Sequence, residues 1–392
     1  MLTLLLLLSA PALLFAEMPE LRFEPLAENV ELLHIGKTDV KRYETKACIV
    51  KFRDYLALIE LPLSGLGSDM DTLPDHRSDG AWLRDSLRAR FPRHPLRYVL
   101  SSHWHPHSIA TFQPLLDDGV KFVTTAKNFE IQSGMLNKEE RRRFINNFML
   151  VDSSGMTISD EVNSIEVYLL RKAKYPALPT DEFLFFHLPK QELLYVACMF
   201  QRLKGSRSKG HEIVSPRTED VGNFIRDVNI APRQILCLYP FWDNERGSVP
   251  ADTLSHLLNN CTLYSGLQNE VYQAVAGRAS AEIRREADSL ITAWLSGEIP
   301  PPILNRVTYQ LANEQQLSQA LELARLQAML LPANPNSWDT LAEMYYYNDQ
   351  AGLARYYNAQ CHRVDSTFKG GSPEIWQERI EELRKDGGRD QN

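Results

Sequence analysis

Apolar and polar residues change period several times along this chain, and each change marks an element. Short apolar or alternating runs at 30–36, 46–52, 55–62, 96–100, 120–125, 164–171 and 234–239 predict strands. Two further apolar runs, 181–188 and 193–199, are separated by Pro189-Lys190-Gln191-Glu192 and predict a hairpin. Helical spacing at 80–91, 109–116, 129–149 and 216–228 places helices between these strands. From Ala251 the strand signal stops. The stretches 252–258, 266–276 and 280–295 read as helices, and Gly297 with Pro300-Pro301-Pro302 marks a boundary. A last amphipathic helix starts at Ser372-Pro373.

A length of 392 residues predicts two domains. The net charge of −7 argues against nucleic acid or an anionic membrane surface as the main partner. Two local basic clusters, Lys138/Arg141/Arg142/Arg143 and Arg202/Lys204/Arg207/Lys209, read as solvated faces or loops. Residues 1–16 are nearly all apolar but shorter than the ~20 residues of a spanning helix. They read as a cleaved secretory signal, with an uncleaved N-terminal anchor as the alternative. The expectation is therefore an exported chain, periplasmic or secreted, with no stable membrane span after cleavage. The five cysteines are widely spaced without a CxxC pair, so neither a zinc knuckle nor a redox motif is indicated. In an exported protein one or two disulfides would be permitted, and spacing alone does not pair them.

Candidate chemistry concentrates in Ser101-Ser102-His103-Trp104-His105-Pro106-His107-Ser108, directly after the run 96–100. Alternate residues of an extended segment point the same way, so His103, His105 and His107 can converge at the C-terminal end of a strand. That is where α/β folds place ligands, and neutral imidazoles bind zinc, copper, iron and nickel. No Gly-x-Ser-x-Gly elbow, P-loop or dinucleotide fingerprint competes with this motif. His187, inside an apolar run, reads as a satisfied strand histidine.

This stretch resembles the metallo-β-lactamase superfamily, whose metal motif is His-x-His-x-Asp-His after a buried strand. His103 and His105 match the first two ligands, while His107 stands at the Asp and Ser108 at the next His. The hairpin at 181–199 resembles the family's hairpin ending in Gly-Asp, with Ala197-Cys198 at that pair. The run 234–239 leads into Pro240-Phe241-Trp242-Asp243, where the family carries Gly-His. The stretch 175–180, where its middle ligand belongs, holds no ligating residue. The resemblance implies an α/β fold, a four-layer αββα sandwich, and two neighbouring metal sites that activate water. Here the first site keeps His103 and His105, and the second keeps nothing unless His107 and Cys198 substitute.

Further on, Trp338, Leu341, Ala342, Tyr345, Ala354 and Cys361 occupy positions that a tetratricopeptide repeat keeps large or small. Shifted back by one repeat of about 34 residues, Leu304, Val307, Leu311 and Ala320 fall in register, and Pro332 ends that unit. The region thus resembles a pair of tetratricopeptide-like hairpins. The expected organisation is a signal at 1–16, a metallo-β-lactamase-like domain at 17–262 and a helical connector at 263–298. An all-α tetratricopeptide-like domain at 299–386 and a disordered tail at 387–392 complete it.

Two functional readings follow. In the preferred one the metal site is eroded, because its losses fall in four separate segments. The chain then binds no metal and is a non-catalytic binding or scaffold protein that takes a protein partner through its helical repeats. In the other, His103, His105 and His107 hold one zinc or iron, with Cys198 as fourth ligand. The chain is then a mononuclear metal-dependent hydrolase using metal-activated water.

Overall fold

The computed structural model describes residues 20–36, 45–61, 77–103, 114–134, 136–200, 202–208, 211–237 and 248–387. Two compact units emerge, one drawn from residues up to 200 with 223–253, the other from 201–222 with residues from 254 onward. The apolar segment 1–16 and the tail from 388 lie outside the described residues. No described helix is long and apolar enough to cross a membrane.

The first unit is a mixed α/β structure with two sheets. In one, β1 (Glu20–Ala27), β2 (Val30–Gly36), β3 (Thr45–Lys51) and β4 (Leu56–Ile59) pair antiparallel in chain order. Helix α1 (Arg77–Arg90) precedes β5 (Leu96–Leu100), which joins β4 in parallel, and β6 (Lys121–Thr125) joins β5 in the same sense. After α2 (Ala126–Gly134) and α3 (Lys138–Phe144), β7 (Phe148–Val151) closes this seven-stranded sheet. The sequence explains the switch from antiparallel to parallel. All of Leu56-Ala57-Leu58-Ile59 is buried, as central parallel strands require, whereas β1 carries charge and Pro25 at the edge. Helix α1 turns Leu83 and Leu87, followed by Phe91, onto Leu58, Val99 and Phe122 of that sheet.

The second sheet contains β8 (Met156–Ser159), β9 (Ser164–Arg171), β10 (Glu182–Leu188) and β11 (Leu193–Tyr195), all antiparallel. Strand β14 (Gln234–Leu236) then adds parallel to β11, and β15 (Ser248–Pro250) adds antiparallel to β14. The predicted hairpin is thus β10–β11, in register Phe186↔Tyr195. Phe224 of helix α4 (Pro216–Val228) packs edge-on against Phe185 and Tyr168 of this sheet.

The second unit opens with a small sheet of β12 (Arg202–Ser208), β13 (His211–Val214) and β16 (Thr262–Leu263). Helix α5 (Ala251–Asn260) precedes β16, and α6 (Tyr264–Val275), α7 (Ser280–Arg285) and α8 (Ala287–Ser296) follow it. Then come α9 (Pro301–Asn313), α10 (Leu317–Leu330), α11 (Pro335–Tyr347), α12 (Ala351–Val364) and α13 (Pro373–Gly387). The bounds of α9 and α10 recur 34 residues later in α11 and α12: 301 to 335, 313 to 347, 317 to 351 and 330 to 364. The turns repeat too, with Gln315 and Asp349 both left-handed, at φ 60° and 59°. Ala320 and Ala354 are both buried, which lets paired helices approach closely.

Several expectations are corrected. The stretch 129–149 is not one helix, because Asn137 caps a new one. Its side chain accepts from the Glu139 and Glu140 N–H groups, Glu140 returns the bond, and the chain then enters β7. The stretch 280–295 breaks at Glu286 into α7 and α8. Arg202, Lys204 and Arg207 of the second basic cluster, read as a solvated face or a loop, lie on strand β12. Strands β1 and β8 carry no clear alternation, so the pattern does not predict them. Among the described residues no disulfide forms, and Cys48, Cys198, Cys237 and Cys361 are buried.

Candidate functional site

The site is assembled where strands of both sheets end. Strand β4 finishes at Ile59, and the next residue, Glu60, is buried with a left-handed φ of 67°. Strand β5 finishes at Leu100, and the chain continues through Ser101 and Ser102 to His103, all three buried. Strand β11 finishes at Tyr195, and a short turn, Ala197–Met199, presents Cys198. Ala197 holds φ at 48°, a conformation that costs a residue with a Cβ ~1–2 kcal/mol. A glycine would be at ease there.

His103 is clamped on three sides. Its ring stacks on Phe183 of β10, with centroids 4.7 Å apart and planes 23° from parallel. Its Nδ1 lies 2.7 Å from Ser102 Oγ, and its Nε2 lies 3.7 Å from Cys198 Sγ. Ser102 is itself fixed at both backbone groups. Its N–H donates to Glu60 Oε1 at 2.7 Å, and its carbonyl accepts the Leu184 N–H at 2.8 Å. Ser101 Oγ donates to the His103 carbonyl at 3.1 Å. Burial pushes the Glu60 carboxyl up to about 7 from an ordinary 4.5, against the lowering effect of its hydrogen bonds from Ser102.

Of the four residues singled out from the sequence, the structure brings His103 and Cys198 together. His105 and His107 lie outside the described residues, as do Pro240 to Asp243. Among the described residues no group of three His, Cys, Asp or Glu side chains is gathered as a metal cage. The donor pair itself suits a metal. A tetrahedral zinc with Zn–N near 2.0–2.1 Å and Zn–S near 2.3 Å holds its N and S ligands about 3.6 Å apart. The observed 3.7 Å admits either that arrangement or a thiol–imidazole hydrogen bond. The stretch 175–180 serves structure instead: Tyr175 and Leu178 are buried, and the Tyr175 hydroxyl donates to Asp227 Oδ2 at 2.8 Å. His187 pairs with Glu166 at 2.8 Å, as its reading as a satisfied strand histidine requires.

Sequence reasoning assigns no role to Ser102, Phe183 or Glu60. A Ser pair before a His is a weak signal. Phe183 is one apolar residue among many in β10, and only the fold sets it beside His103.

The sheet-rich part of the chain is similar in structure to metallo-β-lactamases. A metallo-β-lactamase from Pontibacter korlensis aligns at 15% identity and a TM-score of 0.39, covering 62% of this chain and all of its own. The DIM-1 metallo-β-lactamase aligns at 17% and 0.41, covering 61% of this chain and 96% of its own. One from Hirschia baltica aligns at 14% and 0.39, covering 60% and 94%. No protein-family model matches the chain, and no curated protein matches it.

Proposed function

We propose that the first unit is a metallo-β-lactamase-like domain that holds one zinc or iron and acts as a mononuclear metal-dependent hydrolase. The observation that carries this reading is the 3.7 Å approach of His103 Nε2 and Cys198 Sγ at the ends of β5 and β11. His103 and Cys198 would hold the ion, with His105 and His107 supplying further positions. A metal held by these residues would supply a water of pKa near 7 and a Lewis acid for the scissile group.

The chain's own residues do the rest. On binding a metal, Cys198 would give up its proton and its thiolate would bring negative charge to the site. Phe183 covers one face of the His103 ring and keeps water from it. Glu60 and Leu184 hold the backbone of Ser102, and through it the start of the histidine motif. The test is hydrolysis of chromogenic ester, lactam and phosphodiester substrates by zinc-loaded protein. The reading requires turnover of at least one, lost in both His103→Ala and Cys198→Ser. Turnover that survives both changes would overturn it.

A second reading, a metal-free binding protein, draws on the stretch 175–180, which carries no ligating residue. On that reading the paired helices α9–α12, tetratricopeptide-like in their 34-residue spacing, take a protein partner. Leu341 and Tyr345 are buried within the unit's own core, so a partner would meet other residues than these. Export of the chain belongs equally to either proposal.

A further inference from the structure

We propose that Ser102 is the positioning residue that prepares His103 for metal, by holding its proton on Nδ1 and its Nε2 lone pair toward Cys198. The inference rests on the metal-site reading above and adds to it a residue that touches neither metal nor substrate.

A neutral imidazole carries one proton, on either nitrogen. With the proton on Nε2, the ring donates toward sulfur and has no lone pair for an ion. With it on Nδ1, the ring donates to Ser102 Oγ at 2.7 Å and turns a bare Nε2 to the site. Metal-bound histidines fix their tautomer in this way, through the partner of the other nitrogen. A hydroxyl can accept from Nδ1 or donate to it; the Ser102 hydroxyl is left to accept because its own proton goes to the Glu60 carboxyl, the second of the hydrogen bonds Ser102 makes there. Ser102 is 0% exposed, its N–H is tied to Glu60 Oε1 at 2.7 Å, and its carbonyl is tied to Leu184 N at 2.8 Å. Its Cα is therefore held in place, and the hydroxyl can leave the ring only by changing rotamer inside a buried site. Leu184 adjoins Phe183, the residue on which the ring stacks, so the same strand fixes the ring's face and the position of its tautomer partner. No step of bond making is involved beyond the placement of one proton.

The experiment uses the full chain and Co²⁺ as probe. Wild type should bind Co²⁺ with the absorption bands of thiolate ligation, Ser102→Ala should bind about 10–100-fold more weakly, and Ser102→Thr, which keeps the hydroxyl, should recover most of the loss. In metal-free wild type, ¹⁵N NMR of the His103 ring should show the proton on Nδ1, and in Ser102→Ala that preference should relax. A wild-type ring protonated on Nε2, or Ser102→Ala binding Co²⁺ as tightly as wild type, overturns the inference and leaves the metal site standing. Wild type that binds no Co²⁺ overturns the metal reading itself, whatever the ring's tautomer.

Discussion

Replacing Glu60 with glutamine should change how stability depends on pH. Glu60 is 5% exposed, and burial raises its carboxyl to about 7 from an ordinary 4.5. Between those values the folded chain holds a proton that the unfolded chain releases. Raising the pH therefore favours unfolding: the contribution is complete below pH 4.5 and gone once the pH passes about 7. Each pH unit in that window is worth ~1.4 kcal/mol, so wild type should lose ~3 kcal/mol across it from this group alone. The Glu60→Gln side chain keeps an oxygen to accept the Ser102 N–H and does not titrate. Urea unfolding of both proteins from pH 4.5 to 8 should show the stability difference shifting by ~2–3 kcal/mol in favour of Glu60→Gln as pH rises. Curves that run parallel across the range would refute the reasoning and place Glu60 in a solvated setting.

Further predictions concern the second unit. Trp376 on α13 is 0% exposed, and Trp376→Ala should cost ~3–5 kcal/mol, read as a lower urea midpoint. Glu343 is fully buried and accepts from the Tyr309 and Tyr347 hydroxyls, each at 2.6 Å, and from Arg379 at 2.9 Å. Glu343→Ala should cost ~3–5 kcal/mol by stranding these partners, and Glu343→Gln distinctly less; equal costs would deny the side chain's hydrogen bonds a role. Ala320 sits buried on α10, and Ala320→Leu should cost ~1–3 kcal/mol by overpacking, measured the same way.

Much of the fold is legible in the sequence, and the failures have physical causes. Buried strands announce themselves because both faces must be apolar, so β4, β10 and the β10–β11 hairpin follow from their residues. Edge strands need satisfy only one face. Strand β1 mixes Glu, Arg and Pro with its apolar residues, and β12 is almost wholly polar, so neither stands out from a loop. Helical periodicity survives a break, which hides the ends at Asn137 and Glu286. The pairing of His103 with Cys198 comes from the resemblance of Ala197-Cys198 to a ligand-bearing hairpin; a spacing of 95 residues alone could not suggest it. Ser102 and Phe183 depend on which strand lies beside which, and single residues do not encode that visibly.

The most direct test of the central claim is metal content. The full chain, purified without chelator or affinity-tag histidines and exposed to zinc, should carry one ion per chain by native mass spectrometry. His103→Ala and Cys198→Ser should each lose it while remaining folded. A wild-type chain that stays metal-free after zinc exposure would contradict the account and turn attention to partners of the helical unit.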